Sequence, residues 1–305
     1  MVDNFIANEI SGGRLPGWVY KSALGTRGGL MILWDSTRIN INVLDAVILD
    51  YSISVRVCCN STTWLLTNVY GPCDDDLKPH FFAEIRSLKP AADYKWLILG
   101  DFNVILSAVD KNNSAVNRRL LRSFRDVVNF GELIDIPLVD RRYTWSNEQS
   151  PPTLVRLNRA LCNLGWSQSF ANYQLIPLAS SMSDHCPLLL CPADVPKRAR
   201  TFRFENHWTL LEGFREQVLV SWNKPVRSRH PAIALNVRLR RLARDLRSWC
   251  TRNLGGIALQ MELSLNIIAN LDLAMDHRPL TPDETALRKE LKLRVLGLAA
   301  IDRIR

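Results

Sequence analysis

The run Lys95–Leu106, KWLILGDFNVIL, constrains this chain more than any other stretch. Trp96–Leu99 is uniformly apolar and too short for a helix, so it reads as a buried strand. It ends at Gly100, where the backbone turns without steric cost. Asp101 and Asn103 follow, and on a continued strand both side chains would share one face at its C-terminal tip. A carboxylate and an amide there can hold a water, a metal or a phosphate. They can equally close the strand in an Asx turn.

The surrounding patterns supply partners for that strand. Met1–Gly25 is weakly patterned, and a strand begins at Gly28–Trp34. Asn40–Leu49 and Tyr51–Cys59 alternate apolar and polar residues, and Thr63–Tyr70 is a further strand, so this part predicts an antiparallel meander. Lys78–Leu88 and Asn117–Phe130 carry apolar residues at helical spacing, the second closed by Gly131. Tyr143–Trp145, Leu154–Leu161 and Leu188–Cys191 are short strand candidates. Strands followed by helices, twice over, predict an α+β two-sheet sandwich with helices outside.

After Pro196 the period changes. Leu239, Leu242, Leu246 and Trp249 recur at helical spacing among arginines, Gly255-Gly256 breaks the pattern, and Ile257–Ala274 is a second helix candidate. Thr281-Pro-Asp-Glu284 has a capping threonine, a proline at the first helical position and a glutamate three after the cap. Leu287, Leu291, Val295, Leu298 and Ile301 then form an apolar stripe. These features predict two domains, 1–196 and 197–305, the second a helical hairpin or three-helix unit.

Charge divides at the same place. Residues 1–196 hold 18 Lys/Arg against 19 Asp/Glu, or −1, and residues 197–305 hold 21 against 11, or +10, which sums to the chain's +9. The basic third suits a polyanionic partner or a solvated helical surface. No apolar run approaches the ~20 residues of a membrane span, and Met1–Ile10 has no secretory pattern. Seven cysteines without a CxxC pair fit reduced thiols, a nuclear or cytoplasmic setting, and no zinc site.

Four polar signals stand at strand ends or adjoining loops: Asn68-Val-Tyr-Gly-Pro72, Gly100-Asp-Phe-Asn103, Tyr143-Thr-Trp145 and Ser183-Asp-His185. Singly each suits an ordinary strand end. Together and in this order, the set resembles the endonuclease/exonuclease/phosphatase family, which includes exonuclease III, abasic-site endonucleases and DNase I. GGLMILWD, TNVYGP, WLILGDFNVIL, YTWSN, RLNRALCN and SDHCPLLL look most like the endonuclease domain of plant LINE-type non-LTR retrotransposons. The resemblance covers Gly28–Cys191. TFRFENHW, Thr201–Trp208, and the helices beyond look like the connector that precedes the reverse transcriptase in such polyproteins. No reverse-transcriptase motif follows, so the resemblance implies a fragment.

What the resemblance implies is Mg²⁺- or Mn²⁺-dependent phosphodiester hydrolysis on DNA by a DNase I-like sandwich. Asp101 would orient and deprotonate the water, with Asn103 helping to place it. His185 would donate to a phosphate oxygen, Asp184 would join the metal site, and Tyr70, Thr144 and Ser183 would contact the phosphate. Two departures bear on activity. The family's first two strands, ending in a metal-site Asn and a metal-binding Glu, are not recognisable upstream of Gly28. The position of the family's His-pairing Asp reads Asn158. An amide accepts from imidazole but carries no charge. Weakened metal binding and low or lost activity are the expectation. The alternatives are a non-catalytic nucleic-acid binder, reaching RNA or DNA through the basic helices, and a small-phosphoester phosphatase. No membrane partner or small-molecule cofactor is expected.

Overall fold

The computed structural model describes residues 4–24, 27–91, 93–193, 208–209, 212–228 and 230–304. The chain forms two compact units. The first is Met1–Leu178 with Asp184–Val195, and the second is Ala179–Ser183 with Pro196–Arg305. The basic segment Lys197–Arg203 and all of Thr201–Trp208 except Trp208 lie outside the described residues.

The first unit is α+β. Its frame is a seven-stranded sheet with the order β3-β5-β6-β7-β11-β8, β4 also pairing with β5. The strands are β3 (Asn40–Ile41), β4 (Val47–Ile48), β5 (Ser52–Cys59), β6 (Thr62–Tyr70), β7 (Trp96–Asp101), β8 (Leu133–Asp135) and β11 (Asn158–Asn163). β5 and β6 form a hairpin whose turn residues Asn60 and Ser61 have φ of 48° and 65°, the left-handed pair that suits a tight two-residue turn. β6 and β7 run parallel, joined across the helix α2 (Lys78–Ser87). β11 is antiparallel to β7.

Alternation along β7 sorts the two layers. Trp96 and Ile98 are buried with Phe81, Phe82 and Ile85 of α2 and with Phe124 and Val127 of α3 (Arg118–Phe130). Leu97 points the other way, into a cluster with Leu175 and Trp166, against which Leu188 and Leu190 pack. Those belong to the hairpin β12 (Tyr173–Pro177) with β13 (Leu188–Pro192) and to the helix α4 (Leu164–Ser169). A second hairpin, β1 (Gly17–Leu24) with β2 (Arg27–Trp34), buries Val19, Ile32 and Trp34 against Ile53, Val55 and Val57 of β5. Trp64 and Leu66 of β6 touch both clusters. α2 and α3 therefore cover one face of the sheet, and two hairpins with α4 cover the other. A third small pair, β9 (Trp145–Ser146) with β10 (Leu154–Val155), completes the unit.

Three expectations change. The weakly patterned start holds the helix α1 (Asn4–Ser11) and the strand β1, in which Val19 alone is deeply buried and polar Lys21 and Ser22 dilute the alternation. Asn40–Leu49 is two short strands around a turn, because the Asn42 side chain accepts from the Leu44 amide at 3.2 Å and competes with ladder pairing. Gly255-Gly256 does not end a helix. After α5 (Phe214–Trp222), one helix α6 runs Pro231–Met275. Each glycine costs about 1 kcal/mol in a helix, which a long packed helix absorbs.

In the second unit α6 turns back as α7 (Pro282–Ile304), and Ile268 packs against Leu291 and Val295. The Thr281 cap forms in both directions: the Glu284 amide donates to Thr281 Oγ1 at 3.2 Å, and the Thr281 amide donates to Glu284 Oε2 at 2.9 Å. Ala179 joins this unit's core, so the division does not fall at a single point of the sequence.

Candidate active site

The parallel register of β6 and β7 sets Tyr70 beside Asp101 and Val69 beside Gly100. Gly100 has φ of 142°, and a Cβ there would lie 2.0 Å from the Val69 carbonyl oxygen. Only glycine lets the two strand ends approach this closely. Gly100→Ala should cost about 1–3 kcal/mol from backbone strain, with the overlap added to it. A thermal melt checks this, and an unchanged midpoint would show that the strand ends do not need the close approach.

Beyond Asp101 the chain turns sharply. Phe102 is fully buried and donates its amide to the Leu157 carbonyl at 3.1 Å. Asn103 takes the left-handed conformation, φ 50°, which Asn tolerates better than most residues. Its backbone amide donates to Asp101 Oδ1 at 2.9 Å, and its Nδ2 donates to Asp101 Oδ2 at 3.0 Å and to the Gly71 carbonyl at 2.8 Å. The two residues therefore form one hydrogen-bonded unit, an Asx turn that also fixes a carboxylate.

β11 brings Asn158 opposite Asp101. The Thr144 hydroxyl oxygen accepts from the amides of Leu157 at 2.9 Å and Asn158 at 3.0 Å. Thr144 is 1% exposed, so it sits behind Asn158 and anchors it rather than facing a ligand. The segment Asp184–Cys186 lies along Thr144–Ser146: the Ser146 amide donates to the Asp184 carbonyl at 3.1 Å, and the Cys186 amide to the Thr144 carbonyl at 2.9 Å. That pairing presents His185. Its Nδ1 is 2.7 Å from Asn158 Oδ1. An amide oxygen only accepts, so Nδ1 carries the proton. Nε2 then faces Asp101 Oδ2 at 3.8 Å.

Asp101 is 7% exposed. Burial pushes its carboxyl above the ordinary aspartate range, against the Asn103 amide and the charges of His185 and Lys78, while Asp184 adds to the rise. Asp184 is exposed, with Oδ2 accepting from Trp145 Nε1 at 2.8 Å. Asp101, Asn103, Asn158, His185 and Tyr70 thus gather at one sheet edge. Ser183 goes with the second unit, its amide donating to Ser180 Oγ at 3.0 Å. Tyr70 also lines a cavity of about 280 Å³ with Tyr51, Leu30, Pro72 and Leu77.

A divalent ion of the Mg²⁺ type needs several oxygen ligands, carboxylates among them. Among the described residues no three His, Cys, Asp or Glu side chains gather as a metal set. Both Asp101 oxygens already accept from Asn103, and an Asp184 oxygen accepts from Trp145. The donors present do not fit the ion.

Two buried cations escaped the sequence reading. Lys78 opens the helix α2 and is 1% exposed. Arg159, also 1% exposed, bonds Asp110 and Asp135. The doubled arginine of Arg156-Leu-Asn-Arg159 was the available signal.

No family model matches the sequence, and no curated protein is detectably similar to it. Solved structures resemble it in fold. The endonuclease domain of TRAS1, a telomere-specific non-LTR retrotransposon, superposes with a TM-score of 0.46 at 11% identity, over 58% of this chain and 80% of that one. D. rerio TDP2 complexed with single strand DNA product gives 0.44 at 11% identity, over 60% and 78%. An endonuclease/exonuclease/phosphatase family protein from Bacteroides thetaiotaomicron gives 0.39 at 13% identity, over 61% and 78%.

Proposed function

We propose that the first unit is a DNA phosphodiesterase of the endonuclease/exonuclease/phosphatase type, with turnover lowered by the amide at 158 and by an incomplete metal donor set. The observation that carries this reading is the run of contacts from Asn158 through His185 to Asp101, at the edge where Tyr70 also ends. The finer reading, an endonuclease domain of a plant LINE-type retrotransposon, is supported by the six sequence motifs that span Gly28–Cys191.

In this reading Asp101 takes a proton from the attacking water while the water oxygen bonds to phosphorus. The phosphorus–oxygen bond to the leaving nucleoside breaks, and the leaving oxygen gains its proton from solvent. Burial raises the proton affinity of Asp101, which makes it a stronger base than an exposed aspartate. Asn103 fixes the carboxylate through two donors. As imidazolium, His185 donates from Nε2 to a non-bridging phosphoryl oxygen, and Asn158 fixes its ring orientation. Tyr70 donates to the phosphate beside it. Thr144 positions Asn158.

Nicking of supercoiled plasmid by the purified chain with Mg²⁺ or Mn²⁺ tests the proposal. Slow nicking that disappears in Asp101→Ala is expected. Nicking that survives Asp101→Ala would refute the assignment of the base, and fast nicking by the unaltered chain would refute the low turnover.

A further inference from the structure

Lys78 bears two electrostatic costs at once. Its side chain is buried, which pushes its ammonium down to about 8, and it occupies the first turn of α2 where the helix dipole favours anions. A lysine that only fastened a helix to a sheet could keep its charge in water. What Lys78 reaches instead is the turn that follows Asp101. Nζ donates to the Asn103 carbonyl at 2.6 Å and to the Phe102 carbonyl at 3.4 Å.

That turn is where the carboxylate is held. Asn103 is left-handed and supplies two donors to Asp101, and a residue in that conformation persists because its surroundings fix it. Lys78 grips its carbonyl from the opposite side. The ammonium and the carboxylate also stabilise each other's charge directly. The groups facing the pair come from three places. Asp101 on β7, with Cys73 and Asp75 before α2, faces Lys78; His185 and Asp184 face Asp101 from the other side.

We propose that Lys78 is a positioning residue for Asp101: it fixes the left-handed turn that presents two donors to the carboxylate, and its charge favours the ionised form. The positioning stands on the two carbonyl contacts of Nζ. Only its use in catalysis rests on the phosphodiesterase reading.

Carbon-13 NMR titration of the Asp101 carboxyl in the full chain tests it. Lys78→Met keeps the side-chain length and removes the charge and the donors. The Asp101 midpoint should rise by about 1–2 units, as expected for loss of a nearby opposite charge, and Lys78→Arg should bring it part of the way back. An unchanged midpoint, with the Asn103 amide resonance in its native place, would overturn the proposal. Should Lys78→Met not fold, Asp101→Asn reads the same coupling in reverse, because such coupling is reciprocal. The Lys78 ammonium midpoint should then fall by a similar amount, and an unmoved midpoint would overturn the proposal equally. Plasmid nicking by the same variants separates the two ideas. A shifted Asp101 midpoint with no nicking in any variant, the unaltered chain included, supports the role of Lys78 and removes the phosphodiesterase reading.

Discussion

Arg159→Met should destabilise the first unit by about 3–5 kcal/mol, the range for breaking a buried ion pair by removing one partner. At about 2–4 °C per kcal/mol for a domain of this size, the thermal midpoint should fall by about 6–20 °C. Arg159 bonds Asp110 and, at 2.5 Å, Asp135; Arg156 reaches Asp135 at 2.9 Å. Asp110 Oδ2 also accepts from the amides of Leu106 at 2.9 Å and Ser107 at 2.6 Å. One guanidinium therefore ties β11 to β8 and to the segment leaving the site. Its loss strands two carboxylates in a poorly hydrated place. Burial already pushes the Asp135 carboxyl up in the intact fold, against the pull of Arg159 and Arg156. A carboxyl raised above its unfolded value stabilises the fold when protonated and loses that contribution as pH rises. The deficit of Arg159→Met should therefore be largest at neutral pH and shrink as pH falls through the raised Asp135 value. Adding Asp110→Asn and Asp135→Asn should recover part of it at pH 7. Circular dichroism melts at two pH values decide the matter, and a deficit independent of pH would assign the loss to packing.

His185→Ala should lower the nicking rate by about 10²–10⁴, the usual worth of one positioned catalytic group. Asn158→Asp should raise it above the unaltered chain. The Asn158 amide already orients the ring at 2.7 Å, so the substitution changes charge and not placement. A carboxylate there favours the imidazolium by direct attraction. Asn158→Asp should accordingly extend nicking to higher pH. The acid limb belongs to Asp101 and should lie above the ordinary carboxylate range. Rate against pH for both chains is the measurement. A pH profile that Asn158→Asp leaves untouched would mean that His185 takes no part as a cation.

Periodicity in the sequence revealed the elements that bury one clean face. β7, α2 and α3 have Trp96, Ile98, Phe81, Phe82 and Phe124 in a single cluster, and runs of that kind are unambiguous. β1 did not stand out because its buried face rests on few residues. α6 was split by Gly255-Gly256 because propensity is local and the packing of Ile268 on α7 is not. The polar strand ends were visible in the sequence, and the strand register brings Tyr70, Asp101 and Asn158 together with Asn103 and His185. The burial of Thr144 behind Asn158 was not visible, because exposure leaves no mark on a strand-end threonine. Lys78 left no signal, because a lysine in a first helical turn normally points to solvent.

β6 and β7 are the only parallel strand pair among the described residues, and that fixes an order of assembly. The β5–β6 hairpin closes through a two-residue turn, and hairpins of this kind form in about 1–10 μs. Tyr70 and Asp101 meet only after the chain has crossed α2. His185 reaches Asn158 across a further 27 residues once β11 is down. Contacts between residues far apart in sequence form more slowly than local ones, so the stages should follow in that order. During refolding, amide protection should therefore appear first in β5 and β6, then at the β6–β7 edge, and last at Ser146 and Cys186. On that order, the edge that carries the candidate chemistry should be the last part of this sheet to gain protection.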